Sequence, residues 1–332
     1  MRNFAPTIYL LFPERRSTVE FLPQNPDNSS PQAIKKLYTQ RDRVVRAMTE
    51  DGFFRLAAVR NSKAALSAQE RHGLSPLASV LLGRAMSGAS LLASFLKSEE
   101  RIILDFSGNG PAGKVFAESL HVGEVRGYVQ NPECVLDFSD ANASLGSGLG
   151  IGLLRVSRVL YNQYEPVVGV VELFSGDIST DLAYYLTQSE QIPTAVMLDV
   201  SINKEGQVEQ SGGLMVQAMP GAPESLIQTM YANLKKIENL SDMLATGYSP
   251  QEILKIISDT ELIEMADTPI DFFCRCSLDR FKSALSTLGA EEIKEMQAQN
   301  QRELVCRYCN SHYNLSDDDF NDIINGLQAK NN

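Results

Sequence analysis

Four of the five cysteines lie in two close pairs near the C-terminus, and these pairs constrain the fold more than any other feature of the sequence. Cys274 and Cys276 are separated by one residue, Cys306 and Cys309 by two, and 29 residues lie between the pairs. Residues i and i+2 of an extended segment project from the same face, so the first pair can bind one metal ion; two intervening residues allow a tight turn that does the same for the second. Four thiolates complete the tetrahedral shell of structural Zn²⁺. We predict one zinc ion per reduced chain, bound by these four cysteines.

The sequence indicates a role at the zinc site less clearly for the other residues near these pairs and for Cys134. A thioredoxin-like motif would require a helix that begins at Cys306, whereas an aromatic turn follows this pair. His312 is surplus to a complete shell of four thiolates, and we predict that it packs or supports the site from outside. Cys134 is predicted to be a small buried side chain. Four arginines near the pairs either partly neutralise the thiolates or lie in solvent: Arg275, Arg280, Arg302 and Arg307.

The acidic composition argues against nucleic acid as a partner. The chain carries a formal charge of -11 at pH 7 and has a pI of about 4.9. Residues 251–332, which contain the cysteine pairs, hold 15 Asp and Glu against 8 Lys and Arg. Because binding to phosphates depends on Lys and Arg that displace counterions, we predict no nucleic-acid binding.

The sequence offers no constellation typical of an enzyme, and we predict that the protein has no catalytic site. The three histidines, His72, His121 and His312, have no partners at a catalytic spacing. The segment Gly108–Lys114 resembles both a dinucleotide-binding loop and the start of a P-loop. Val115, however, stands where a P-loop requires Ser or Thr, and β-like sequence follows in place of a helix. We therefore predict a plain turn and no bound nucleotide or other organic cofactor.

Periodicity predicts an α+β protein with a mixed strand and helix core, a helical linker and a small zinc domain. A turn-rich polar run, Pro23–Pro31, indicates an N-terminal extension. The predicted boundaries are 1–40 for the extension, 41–220 for the core domain, 221–267 for the linker and 268–332 for the zinc domain. Strands are predicted over six segments of the core: Ile102–Phe106, Val125–Val129, Ile151–Leu160, Val167–Leu173, Ala195–Ile202 and Leu214–Met219.

Two helices are predicted in the core, over Ser75–Lys97 and Ser179–Gln191. The first contains an apolar stretch long enough to span a bilayer, but Arg84 near its centre would cost about 2.5–3.5 kcal/mol on insertion, so we predict a buried helix. Pro6 and Pro13 interrupt the apolar N-terminal segment, which argues against a signal peptide. We predict a cytoplasmic protein without membrane contact.

The predicted linker consists of three short helices, over Glu224–Ile237, Asp242–Thr246 and Pro250–Asp259. Their apolar residues recur at helical spacing. Helices of this length are marginal in isolation. We therefore expect the apolar residues of the linker to cover a complementary face of the core.

The cysteine spacing resembles that of the 33 kDa heat-shock protein family, also called the 33 kDa chaperonins, which are redox-regulated chaperones. The resemblance extends in order over about Asp42–Asn325, and only the first 40 or so residues depart from the family pattern. It is carried by five segments: Gly108–Pro111, Ser189–Pro193, Gly212–Pro220, Phe273–Cys276 and Cys306–Tyr313.

The resemblance implies an ATP-independent holdase that is inactive while reduced and zinc-bound. On oxidation, such a protein would form the disulfides Cys274–Cys276 and Cys306–Cys309, release zinc, unfold its linker and capture unfolding proteins as a homodimer. The residues are compatible with this switch, because thiolates are the oxidisable form of cysteine and a small domain that loses zinc loses folding energy. Two alternatives remain at this point: a zinc-stabilised protein-binding adaptor whose metal never leaves, and a disulfide oxidoreductase.

Overall fold

The computed structural model describes residues 40–136, 144–161 and 163–330. The predicted N-terminal extension therefore lies outside the described residues, apart from Gln40. The described chain forms two large β-sheets, a two-stranded hairpin and nine α-helices. The α+β prediction is confirmed.

The first sheet consists of five antiparallel strands: β1 (Arg43–Thr49), β2 (Phe54–Arg60), β8 (Thr194–Ile202), β9 (Val208–Ala218) and β10 (Leu262–Pro269). Their order across the sheet is β10-β1-β2-β9-β8. The edge strand β10 follows the linker helices in sequence and precedes the first cysteine pair. The chain thus returns to the core before it reaches the cysteines.

The second sheet consists of six strands: β3 (Arg101–Gly108), β4 (Lys114–Leu120), β5 (Glu124–Val129), β6 (Gly152–Val159), β7 (Val167–Glu172) and β11 (Asp271–Phe272). Their order is β11-β5-β4-β3-β6-β7. All pairs are antiparallel except β11, which runs parallel to β5. The glycine-rich segment after Gly108 is the turn between β3 and β4, as predicted, and no helix follows it.

Three helices belong to the core: α1 (Ser62–His72), α2 (Pro76–Ala93) and α3 (Ile178–Gln188). The hydroxyl of Ser75 caps α2 by accepting a hydrogen bond from the backbone of Ala78, and α2 contacts strands of both sheets. A Cβ atom at Gly88 would lie 2.8 Å from Leu182, so glycine is what permits the close packing of this helix. Although α2 is long and apolar enough to cross a membrane, 83% of that stretch is buried inside the protein. It is the buried core helix that the sequence predicts.

The linker helices are α4 (Glu224–Leu234), α5 (Leu240–Ala245) and α6 (Pro250–Ile257). Their buried residues, including Met230, Leu234 and Leu254, form one apolar cluster with Leu56 and Val216 of the first sheet. The expectation that the linker covers a face of the core is confirmed. The predicted linker 221–267 is helical only to residue 257, however, because its last residues pair with the free edge of β1 as strand β10.

The C-terminal unit follows β11 and has its own small core. It contains α7 (Leu278–Leu285), α8 (Ala290–Ala298), the hairpin of β12 (Glu303–Val305) and β13 (His312–Asn314), and α9 (Asp317–Lys330). The buried residues of its apolar cluster are Ile293, Leu315, Phe320, Ile323 and Ile324. This cluster is separate from the two large clusters of the core. The C-terminal unit therefore depends little on the main core for its own packing.

Candidate metal centre

The first cysteine pair lies in the extended segment between β11 and α7. The backbone N–H of Phe273 donates to the carbonyl of Val125 on β5 at 3.0 Å, which holds the segment against the second sheet. On the other side, the hydroxyl of Ser277 caps α7. The backbone is thus fixed immediately before and after Cys274 and Cys276.

The second pair lies in the tight turn between β12 and β13. The backbone N–H groups of Cys309 and Asn310 donate to the carbonyl of Cys306 at 3.3 and 2.7 Å, and the N–H of Cys306 donates to the carbonyl of Ser311 at 2.8 Å. Asn310 has a φ of 54°, a left-handed conformation that asparagine tolerates better than most residues. This turn is the local structure that a two-residue spacing predicts.

The structure brings all four predicted ligands together. Their Sγ atoms lie within 4.8 Å of one another. Sγ of Cys274 is 3.7 Å from that of Cys306, and Sγ of Cys276 is 3.4 Å from that of Cys309. A tetrahedral ion with metal–sulfur bonds of about 2.3 Å would separate its sulfurs by about 3.8 Å. The four cysteines can therefore hold a metal ion.

Arg126 of β5 contributes a charged contact to this site. Its Nη1 donates to Sγ of Cys274 at 3.1 Å, and its Nε and Nη2 contact the buried carboxylate of Glu118 at 2.6 and 2.5 Å. Hydrogen bonds to ligating atoms orient them and reduce their charge. Arg126 could not be recognised from the sequence, because it precedes Cys274 by 148 residues and no local pattern links the two.

The four arginines close to the cysteines in sequence make other contacts. Arg275 forms a bidentate ion pair with Glu124 of β5, at 2.7 and 2.8 Å. Arg302 pairs with a carboxylate of α9 at 2.6 Å. The guanidinium of Arg307 lies 4.4 Å from the ring centre of Tyr128. Arg275 and Arg307 therefore bind the C-terminal unit to the core; Arg280 is exposed.

Burial and hydrogen bonding set the ionisation of the thiols. Burial raises the pKa of Cys306 to about 12 and also raises the pKa of Cys274, where the hydrogen bond from Arg126 acts in the opposite direction. At Cys309 burial again opposes ionisation, but hydrogen bonds from the hydroxyl and the backbone of Ser311 help to lower the pKa to about 7. Because metals bind the thiolate form, a cation must displace protons from this site.

Tyr308, inside the second pair, attaches the turn to the core. Its ring centre lies 5.4 Å from that of Phe116 and 5.9 Å from that of Tyr128. The guanidinium of Arg126 lies 4.5 Å from the same ring centre, and Nε2 of His72 is 3.3 Å from the Tyr308 carbonyl oxygen. The site is therefore docked on the second sheet through both cysteine pairs.

Neither His312 nor Cys134 belongs to the group of four residues that could hold a metal ion. The side chain of His312 is 52% exposed, and its Nδ1 lies 2.7 Å from Oε1 of Glu303. This exposure argues against the packing role, and support of the site from outside the ligand shell stays a prediction. Cys134 is buried among apolar residues of the core, which confirms the prediction for that residue.

Comparison with known proteins agrees with this geometry. The family model described as Hsp33 protein matches residues 42–316. The chain belongs to the Hsp33 family. It is 41% identical over 295 residues to the 33 kDa chaperonin of Synechococcus sp. (strain JA-3-3Ab), covering 87% of this chain and 91% of that protein. It is 35% identical over 293 residues to the 33 kDa chaperonin of Desulforamulus reducens, covering 87% and 99%.

A solved structure leads to the same family. The crystal structure of the 33 kDa chaperonin from Thermotoga maritima matches with a TM-score of 0.80 and 32% identity, covering 87% of this chain and 99% of that one. Membership of the Hsp33 family supports a chaperone role for this chain. Such a role implies that it binds unfolded client proteins.

Proposed function

We propose that this Hsp33 protein is a redox-regulated, ATP-independent holdase, inactive while it is reduced and zinc-bound. The observation that carries the proposal is the cluster of four thiols within 4.8 Å of one another. The metal is Zn²⁺, one ion per chain, because an all-thiolate tetrahedral set favours zinc and leaves no position for substrate. The ligands are Cys274, Cys276, Cys306 and Cys309.

Zinc stabilises the fold of the predicted zinc domain, 268–332. The apolar cluster of the C-terminal unit has five buried residues among those described, and a single core in a domain of this size rarely supplies more than about 3–5 kcal/mol without a metal or disulfides. Structural zinc contributes roughly 10–16 kcal/mol of binding free energy in small zinc domains. Loss of the ion would therefore leave this unit unable to remain folded.

Oxidation releases the zinc by removing its ligands. One molecule of hydrogen peroxide accepts two electrons from the thiolates of Cys306 and Cys309 and two protons from solvent, so that a sulfur–sulfur bond forms, the oxygen–oxygen bond breaks and two molecules of water leave. A second molecule oxidises Cys274 and Cys276 in the same way. Disulfide sulfurs carry no negative charge and bind Zn²⁺ poorly, so the ion leaves.

The predicted linker, 221–267, then unfolds. Strands β10 and β11 lie between the linker helices and Cys274, so collapse of the C-terminal unit frees the end of β10. The linker helices are short and rely on packing against the first sheet for stability. When they leave, the apolar face formed by the core domain, 41–220, is exposed and binds unfolding clients. In this proposal the oxidised form is a homodimer in the cytoplasm and binds neither nucleic acid nor membrane.

The test measures zinc release and client protection on the same samples. Peroxide should release one zinc per chain, and the oxidised protein should suppress light scattering from a heat-denaturing client without ATP, whereas the reduced protein should not. Hydrogen exchange should show loss of protection across 221–267. A protein that keeps its zinc under peroxide and protects clients equally in both states would be a zinc-stabilised adaptor, and the proposal would be wrong.

A further inference from the structure

The side chain of Arg126 connects the core to both cysteine pairs of the C-terminal unit. One guanidinium contacts Glu118 of the core, Sγ of Cys274 in the first pair, and the ring of Tyr308 in the second pair. The side chain is 21% exposed and Glu118 only 4%. Arg126 therefore touches both cysteine loops from a largely buried place on β5.

Apart from the Cys274 sulfur, the side chains around Arg126 carry more positive than negative charge. Glu118 is contacted by two guanidinium groups, those of Arg126 and Arg101, the latter at 3.0 Å. The neighbouring pair of Arg275 and Glu124 is neutral in itself. Glu99 and Arg280 line the same cleft, which therefore holds four arginines against three glutamates. The Cys274 sulfur is placed to accept the remaining positive charge when it is a thiolate.

Oxidation would change the balance of charge at one atom, the Sγ of Cys274. A thiolate accepts a charge-assisted hydrogen bond, which is about twice as strong as a neutral one. A disulfide sulfur is neutral and only a weak acceptor. When Cys274 enters a disulfide, Arg126 keeps Glu118 but loses its second anionic partner, and the junction retains an uncompensated positive charge.

We propose that Arg126 is a positioning residue that holds the C-terminal unit against the core only while Cys274 is a thiolate. This inference rests on the proposed redox function and deepens it. It adds a direct electrostatic route from oxidation to undocking, separate from the unfolding of the C-terminal unit. The same hydrogen bond lowers the electron-donating strength of the Cys274 sulfur toward its metal.

The backbone bond between Phe273 and Val125 provides a readout of docking. In the reduced, zinc-bound protein, Arg126→Gln should increase hydrogen exchange at the Phe273 amide by roughly 10- to 100-fold, the range expected for loss of a hydrogen bond to a charged group. If the variant and the unaltered protein exchange alike in this reduced state, Arg126 does not hold the docking contact and the proposal is wrong.

A second readout reports on the sulfur itself. With Co²⁺ in place of Zn²⁺, the sulfur-to-cobalt charge-transfer band should move to longer wavelength in Arg126→Gln, because the sulfur becomes a stronger donor. Arg126→Lys, which keeps the positive charge, should move it back toward its original position. An unchanged band in Arg126→Gln would overturn the proposal.

Glu124→Gln is the matched control. It removes the other ion pair across the same junction, two residues away on the same strand, without touching a sulfur. It should speed exchange at Phe273 but leave the cobalt band in place; an equal shift in both variants contradicts the role of Arg126.

A double variant is available in case Arg126→Gln does not fold. Should Arg126→Gln fail to fold because the buried Glu118 is left with Arg101 as its remaining cationic partner, the double variant Glu118→Gln/Arg126→Gln removes the ion pair and is measured in its place. The cobalt band is read in the reduced protein. The band therefore shows whether Arg126 contacts the Cys274 sulfur, and this readout does not depend on activation. If the unaltered protein shows no activation by peroxide, the proposed function is rejected, but the cobalt band still tests the role of Arg126.

Discussion

Leu254 lies within α6, where that linker helix packs on β1 and β2. Its side chain is 1% exposed. Replacement of a fully buried leucine by alanine removes buried apolar surface and leaves a cavity, at a cost of about 2–5 kcal/mol. Because each 1.4 kcal/mol is a factor of ten, Leu254→Ala should raise the open population of the linker roughly 30- to 5,000-fold. We therefore expect part of the chaperone activity to appear without oxidation.

The assay is performed under reducing conditions with zinc bound. Leu254→Ala should suppress light scattering of a heat-denaturing client while retaining one zinc per chain, and hydrogen exchange across 221–257 should rise. Ile256→Ala is the matched control, because Ile256 lies on the same helix and is 39% exposed. A change at such a surface position is expected to stay within about 0.5 kcal/mol and to leave the protein inactive.

Two results would refute this reasoning. If exchange shows that the linker of Leu254→Ala has opened but the client still aggregates as with the reduced unaltered protein, the sheet face under the linker is not the client site. If Ile256→Ala activates the protein as strongly as Leu254→Ala, burial against the sheet is not what keeps the linker closed.

Three further predictions concern the cysteines. Cys134→Ser should retain one zinc per chain by metal analysis, because Cys134 lies in the core cluster apart from the other thiols; lost zinc would reject the ligand assignment. Cys306 and Cys309 should form their disulfide before Cys274 and Cys276, since an extended i, i+2 pair lies near the upper limit of Cα separation for a disulfide. Mass mapping of partly oxidised protein checks this order, and a first disulfide between Cys274 and Cys276 contradicts it. Zinc affinity should rise with pH and should continue to rise above about 7, the pKa of Cys309, because burial raises the pKa of Cys306 to about 12 and binding displaces its proton. Titration calorimetry in buffers of different ionisation enthalpy should detect the released protons, and a pH-independent affinity would be inconsistent with this prediction.

The sequence by itself determined the features that depend on local spacing. The two cysteine pairs could be recognised because the ligands within each pair are set by the geometry of one turn or one extended segment. The buried helix was found for the same reason: Leu81, Met86 and Leu91 fall on its packed surface, and a capping serine and a proline mark its start. The apolar residues of the linker likewise implied a covered face, although not which face.

Tertiary structure alone decided the features that depend on distant partners. Strand β10, with the sequence LIEMADTP, has no strong strand pattern and is formed because β1 offers it an edge to pair with. Arg126 and the aromatic rings around Tyr308 meet the cysteine loops only because β11 runs beside β5. The charges and hydrogen bonds that act on the sulfurs come partly from residues that are distant in sequence. The sequence therefore identifies which cysteines can bind the metal, and the fold determines which groups control them.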